Sequence, residues 1–178
     1  MVMKKAFLVL AILVGSAALT FAQPKSIGGR LGNYGIDVSY ENYVMGGSDF
    51  LEFGLGLDNG FSTSAFHVDG IYNFMIVQPD WTPKGKWGFY AGPGASLAVW
   101  ENDEDENTVY AGFVGNVGLE YTFWFPLQLA VDIRPVVGLH INDGWSDDAG
   151  NRYGSKVGFY NKGISWCWIP TLAVRYAF

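Results

Sequence analysis

The chain has 178 residues, 49% of them apolar and 17% aromatic, with 24 glycines and a formal net charge of −6. That length holds one domain, and the aromatic and glycine content suits strands better than helices. The acidic balance argues against nucleic acid as a partner, and a single cysteine, Cys167, leaves no internal disulfide.

Residues 1–22 read as a cleavable secretory signal peptide. Lys4 and Lys5 precede an apolar Ala6–Leu19, followed by Thr20-Phe21-Ala22, whose small residues a signal peptidase accepts. The apolar run is shorter than the roughly 20 residues that a spanning helix needs. Cleavage after Ala22 leaves a domain of residues 23–178 with nine basic residues against 17 acidic ones, a net charge of −8. Cys167 lies too far from that point to carry a lipoprotein acyl group, and is expected as a small apolar residue, buried or facing a membrane. No later apolar stretch approaches 20 residues, so any membrane crossing has to use strands.

From Ile27 onward, period-2 segments alternate with Gly, Asn, Asp, Ser and Pro clusters, the pattern of a meander of hairpins. Eight strands are expected, over 26–33, 36–44, 50–57, 61–77, 87–100, 108–123, 127–141 and 166–178. The third sets Leu51, Phe53, Leu55 and Leu57 against Glu52, Gly54 and Gly56. The fourth sets Phe66, Val68, Tyr72 and Phe74 against His67, Asp69 and Asn73. In the sixth, Phe113, Val117, Leu119, Tyr121 and Phe123 oppose Gly112, Asn116, Gly118, Glu120 and Thr122. Pro93 and Pro170 fall inside expected strands, where a missing N–H predicts a bulge or local distortion.

Alternation alone does not say which face points inward. Three features place the apolar face toward lipid. All five lysines beyond residue 22 (Lys25, Lys84, Lys86, Lys156, Lys162) fall at ends, turns or loops, whereas a water-facing strand surface carries several. The polar face is built of Gly, Asn, Ser, carboxylates and three arginines, which suits a narrow interior where charges pair with one another. Aromatics gather near strand ends, at Tyr40, Tyr43, Trp87, Phe89, Tyr121, Phe123, Trp124, Trp166 and Trp168, as in the girdles of transmembrane barrels. The expected fold is therefore all-β, an eight-stranded antiparallel up-and-down transmembrane β-barrel.

The closing stretch, Thr171-Leu172-Ala173-Val174-Arg175-Tyr176-Ala177-Phe178, resembles the assembly signal of outer-membrane barrels, with Thr171, Ala173, Tyr176 and Phe178 at its characteristic positions and Ala177 where glycine is usual. Gly118-Leu119-Glu120-Tyr121-Thr122-Phe123, Pro126-Leu127 and Asp132-Ile133-Arg134-Pro135 extend the resemblance to small eight-stranded barrels of the OmpX/OmpA type, among them the outer-membrane β-barrel family of Bacteroidetes. That resemblance implies the outer membrane of a Gram-negative bacterium, with lipid, lipopolysaccharide and the barrel-insertion machinery as partners. It also implies periplasmic turns at 45–49, 78–86 and 124–126, and outward connections near 34–35, 58–60, 101–107 and 142–165. It implies location rather than activity.

The polar face gathers Arg30, Asp37, Glu52, His67, Asp69, Glu120, Asp132, Arg134 and Arg175. An interior ion-pair network of Arg30, Glu52, Asp69, Glu120, Asp132, Arg134 and Arg175 is expected to plug the lumen, because unpaired charges in a narrow low-dielectric space are costly. A proton or ion path is the competing use of the same residues. Glu101-Asn102-Asp103-Glu104-Asp105-Glu106-Asn107 offers oxygen donors for Ca²⁺ or Mg²⁺, but lacks the spacing of an EF-hand loop and reads as a solvated tip. His67, with Asp69, Ser62 and Ser64 nearby, and His140 supply no nucleophile–base pair of convincing spacing, so no catalytic, cofactor or metal residues are assigned. Loop 142–165 mixes aromatics with both charges, and either recognises an extracellular ligand or extends the wall. A non-enzymatic scaffold for the envelope and its surface loops, with adhesion as an active role, is the expected function. A lipid-A-modifying enzyme and a narrow solute pore are the alternatives.

The resemblance carries one expectation about assembly. Deleting Phe178 should reduce the barrel in the outer-membrane fraction of cells and send it to periplasmic aggregates. The purified variant should still fold in detergent with near-normal heat resistance. Normal outer-membrane levels of the variant would remove the assembly role from Phe178.

Overall fold

The structure is a computed structural model that describes residues 23–32, 35–44, 46–58, 65–101, 107–142, 156–160 and 169–178. The stretch 1–22, expected as a signal peptide, and Cys167, Trp166, Trp168, Ser62, Ser64 and residues 102–106 lie outside the described residues.

The described elements are all strands: β1 (Gln23–Gly32), β2 (Gly35–Tyr43), β3 (Phe50–Asp58), β4 (Ala65–Val77), β5 (Lys86–Glu101), β6 (Asn107–Thr122), β7 (Gln128–Ile133), β8 (Val136–Asn142), β9 (Lys156–Tyr160) and β10 (Thr171–Ala177). Every pairing is antiparallel. The order β5-β4-β3-β2-β1-β10-β7-β6-β8-β9, with β5 also bonded to β6, closes the sheet on itself. Ten segments make eight barrel strands. β7 and β8 are halves of one strand, since Val117↔Ile133 and Val114↔Val136 keep one register along β6. Pro135, which has no N–H to give, sits at the break.

The eighth strand differs from the sequence expectation of 166–178. β10 begins only at Thr171, just after Pro170, because a proline is tolerated at a strand entry and not in the ladder. Its upper half is instead β9, which pairs with β8 inside what was expected to be the single loop 142–165. Phe159 and Val157 therefore belong to the wall. Pro93 also departs from expectation, since β5 and β6 run in unbroken register through it from Lys86↔Thr122 to Glu101↔Asn107. The cost falls on the other neighbour, where Ile71↔Gly94 and Phe74↔Ala91 share a register but the pairs between them are missing.

Walking the hydrogen-bonded row from Arg30 through Asp37, Gly56, His67 and Ala98 reaches β6 at Tyr110. Walking the other way through Ala173 and Ala130 reaches β6 at Glu120, ten residues along the strand. Eight strands with that stagger tilt by ~40° and enclose a cylinder of roughly 8 Å radius at the Cα atoms, wide enough only for side chains.

The two faces are inverted relative to a water-soluble protein. Among the described residues 19 buried side chains are polar or charged and 8 are hydrophobic. Outside, Leu55, Phe74, Phe113, Val117, Val131, Leu139 and Val174 stand exposed. On β6 the apolar face runs from Val109 to Tyr121, roughly 30 Å along the barrel axis at that tilt.

The turns that join β2 to β3, β4 to β5 and β6 to β7 share one end, the tight-turn end. Val44 N–H donates to Asp49 O at 2.9 Å, and Phe123 N–H to Leu127 O at 2.9 Å. Gly46 and Gly85 take φ of 71° and 83°, the left-handed region where a glycine carries no side-chain penalty. Both chain ends of the barrel meet here, where Phe178 N–H donates to Lys25 O at 3.1 Å.

Candidate functional site

The candidate site is the lumen, because strand alternation delivers every second side chain into a space the barrel closes on all sides. Its centre is Glu52 of β3. Arg30 Nη1 donates to Glu52 Oε1 at 2.6 Å, Arg134 Nη2 to both carboxylate oxygens at 2.7 and 2.8 Å, and Arg175 Nη2 to Oε1 at 3.1 Å. Three guanidiniums from strands far apart in sequence thus converge on one fully buried carboxylate. Arg134 Nε also bonds Asp132 at 2.7 Å, and Tyr90 donates its hydroxyl to Asp132 at 3.2 Å. Arg134 keeps Nη1 without a hydrogen-bond partner among the described residues.

Toward the open end, Arg30 Nε bonds Asp37 at 2.6 Å, and its Nη2 lies 3.6 Å from Asp69. His67 Nε2 approaches Asp37 at 3.0 Å and Asp69 at 3.8 Å. About 570 Å³ of free space, partly open to solvent, adjoins these groups and Tyr110, Arg134 and Thr171. Toward the tight-turn end, Lys25 Nζ donates to Glu41 at 2.9 Å and Glu120 at 2.5 Å and sits 3.5 Å from the centre of the Phe50 ring. Ser26 and Gln128 add hydrogen bonds to Glu41 and Glu120. Arg175 Nη1 faces Glu41 Oε1 at 3.2 Å as an ion pair too poorly aligned to count as a hydrogen bond.

All seven residues expected in the interior network, Arg30, Glu52, Asp69, Glu120, Asp132, Arg134 and Arg175, are buried in the lumen. The first three with Asp132, Arg134 and Arg175 form one connected set around Glu52, and Glu120 joins through Lys25 and Glu41. Two members were missed. Glu41 shares the parity of Asp37 and Ser39, a signal present in the sequence. Lys25 was expected at an end or turn and is 4% exposed inside. The reason is a β-bulge: Pro24 pairs with Asn42 but Ser26 with Glu41, so Lys25 is the extra residue and points inward beside Ser26.

Glycines make these contacts possible. Gly118 lies between its register partners Tyr90 and Asp132, and a Cβ there would fall 2.5 Å from the Tyr90 hydroxyl oxygen. Gly56 lies likewise between Asp37 and His67, with a Cβ position 2.0 Å from Asp37 Oδ1. Side chains two strands apart therefore meet across the strand between them.

Of the residues expected to form an assembly signal, Thr171 and Ala173 face the lumen and Tyr176 and Phe178 stand on the outer face, their rings 5.5 Å apart. No group of three His, Cys, Asp or Glu able to hold a metal ion occurs among the described residues. The side chains of the acidic stretch 101–107 lie outside them. His140 faces Tyr110 and Gly158 across its neighbouring strands. Compared with known protein families, curated proteins and solved structures, the chain matches none.

Two expectations follow for stability. Glu52→Gln removes the charge that three arginines share, and should cost about 3–5 kcal/mol of unfolding free energy, read by urea unfolding of the barrel in detergent; wild-type stability would dismiss the hub. Gly118→Ala should cost about 1–3 kcal/mol by separating Tyr90 from Asp132. Gly29→Ala, whose Cβ would meet only Asp37 O at 4.0 Å, is the control expected to change little.

Proposed function

We propose that this protein is an integral outer-membrane barrel of a Gram-negative bacterium, a non-enzymatic scaffold that strengthens the envelope and presents surface loops. The observation that carries the proposal is the inverted distribution of polarity on a closed barrel. An apolar outer band of roughly 30 Å matches the hydrocarbon core of a bilayer. In water that surface would be an aggregation hazard far larger than a soluble monomer exposes. Closure satisfies the backbone without an edge, the condition a lipid-spanning sheet has to meet.

A scaffold fits the lumen better than a pore does. Its centre is filled by Tyr90, Phe50, Arg175 and the carboxylates they surround, all nearly free of solvent contact. An ion crossing it would have to break charge-assisted hydrogen bonds held in a low dielectric. Lipid and lipopolysaccharide are the proposed surroundings, the insertion machinery the assembly partner, and the outward loops, including parts of 142–165, the place for an extracellular ligand.

Expression with cell fractionation tests the location, the expected result being a heat-modifiable band in the outer membrane. Planar-bilayer recording tests the lumen, with no steady conductance expected from the wild type; stable channels would favour the pore. Val117→Arg on the outer face should cost about 2–4 kcal/mol in lipid vesicles if Val117 lies at mid-bilayer. Unchanged stability in lipid would count against the outward band as a lipid contact.

A further inference from the structure

One surface at the tight-turn end is more specific than a general lipid contact. Six aromatic rings form a continuous chain there: Trp81–Trp87 at 5.4 Å, Trp87–Tyr121 at 4.6 Å, Tyr121–Phe123 at 4.6 Å, Phe123–Phe125 at 4.9 Å and Phe125–Trp124 at 5.2 Å. The turn between β4 and β5 is tied into this chain. Tyr121 donates its hydroxyl to Lys84 O at 2.5 Å, Thr82 donates to the same oxygen at 3.0 Å, and Trp87 Nε1 donates to Thr82 Oγ1 at 3.2 Å. Gly85, at φ 83°, completes the tight bend.

These bonds hold the backbone of a turn that carries the exposed Lys84, while Lys86, also exposed, opens β5 on the parity of Gly88 and Tyr90, opposite Trp87. Lys84 Nζ lies 5.9 Å from the centre of the Trp124 ring, and neither lysine has an ion-pair partner among the described residues. Trp81 and Trp124 are 66% and 73% exposed on the same rim. The interior lysine, Lys25, is by contrast held between two carboxylates. The turn's one acidic residue, Asp80, is exposed and leaves a positive balance. Indole rings settle at the headgroup level of a bilayer, and an ammonium group beside them at that depth meets phosphate.

We propose that Lys84, framed by Trp81, Trp87 and Trp124, forms a binding site for the headgroup phosphate of an anionic phospholipid, with Lys86 adding positive charge at the strand entry beside it. The site rests on the membrane location proposed above, and places the tight-turn end in the leaflet that contains such lipid. The pinned turn keeps the lysine backbone in place before lipid arrives, so less ordering is lost on binding.

The test uses the full barrel folded into vesicles of phosphatidylcholine with a minor fraction of phosphatidylglycerol. Native mass spectrometry then reads the ratio of the two lipids retained on the protein relative to the bulk. Phosphatidylglycerol should be enriched on the wild type, and the enrichment should weaken with added salt. Lys84→Gln should lower it by roughly fivefold, and Lys84→Gln with Lys86→Gln should bring it near unity. Asp80→Asn should raise it. Insertion without enrichment, or equal enrichment on the double variant, would overturn the site and leave the membrane proposal standing. A chain that inserts into neither lipid would overturn both.

Discussion

The carboxylate of Glu52 is the interaction around which the interior is organised. Arg30, Arg134 and Arg175 come from β1, the β7–β8 break and β10, yet all three reach it. Burying a guanidinium away from water is expensive, and only a partner with good geometry offsets the cost. One carboxylate offers enough lone pairs for several donors, Asp37 and Asp132 take the Nε–H groups of Arg30 and Arg134, and Glu41 faces Arg175 as an ion pair. The network spans the barrel, so its members are satisfied together only when the sheet has closed. Among the described residues, four basic side chains meet six carboxylates in the lumen, Lys25, Arg30, Arg134 and Arg175 against Asp37, Glu41, Glu52, Asp69, Glu120 and Asp132. His67, placed between Asp37 and Asp69, is the remaining basic group in that set.

Space makes this chemistry work as much as charge does. An eight-stranded barrel leaves little room, and long arginine side chains fill it only where neighbours are small. Gly54, Gly56 and Gly118 are inward positions without side chains, and over each of them groups from other strands approach one another. The bulge at Lys25 works differently. It adds a second inward side chain in succession, and so supplies Glu41 and Glu120 with a cation in addition to Arg175 at that end of the lumen.

The outer surface follows a different rule. Among the described residues its wall is apolar and without charge, whereas at the tight-turn rim the rings of Trp81, Trp87, Tyr121 and Phe123 pack together and anchor the turn 82–85 through their polar tips. Tyrosine and tryptophan suit that boundary because one edge is apolar and the other forms hydrogen bonds. The interior is rigid because it is paired, and the rim is ordered because its polar tips are used.

Strand number and the division into two faces were legible in the sequence because both are local: side chains alternate with period two, and Leu51 to Leu57 or Phe113 to Phe123 display that period without help from the rest of the chain. The same parity identified Arg30, Glu52, Asp69, Glu120, Asp132, Arg134 and Arg175 as interior residues, and marked Glu41 as well. The partners were not legible, since which carboxylate meets which arginine depends on the ten-residue stagger that accumulates around the closed sheet. Lys25 escaped because a bulge shifts parity by one residue, and it arises from pairing with β2 rather than from any residue type. The split of the last strand into β9 and β10 escaped for a related reason. Pairing with β8 decides it, and Val157 to Phe159 are too short a run to announce a strand by themselves. Local periodicity therefore sorted the side chains onto two faces and their composition said which faces inward, while tertiary closure decided what it meets there, because register is a property of two strands and stagger is a property of all eight.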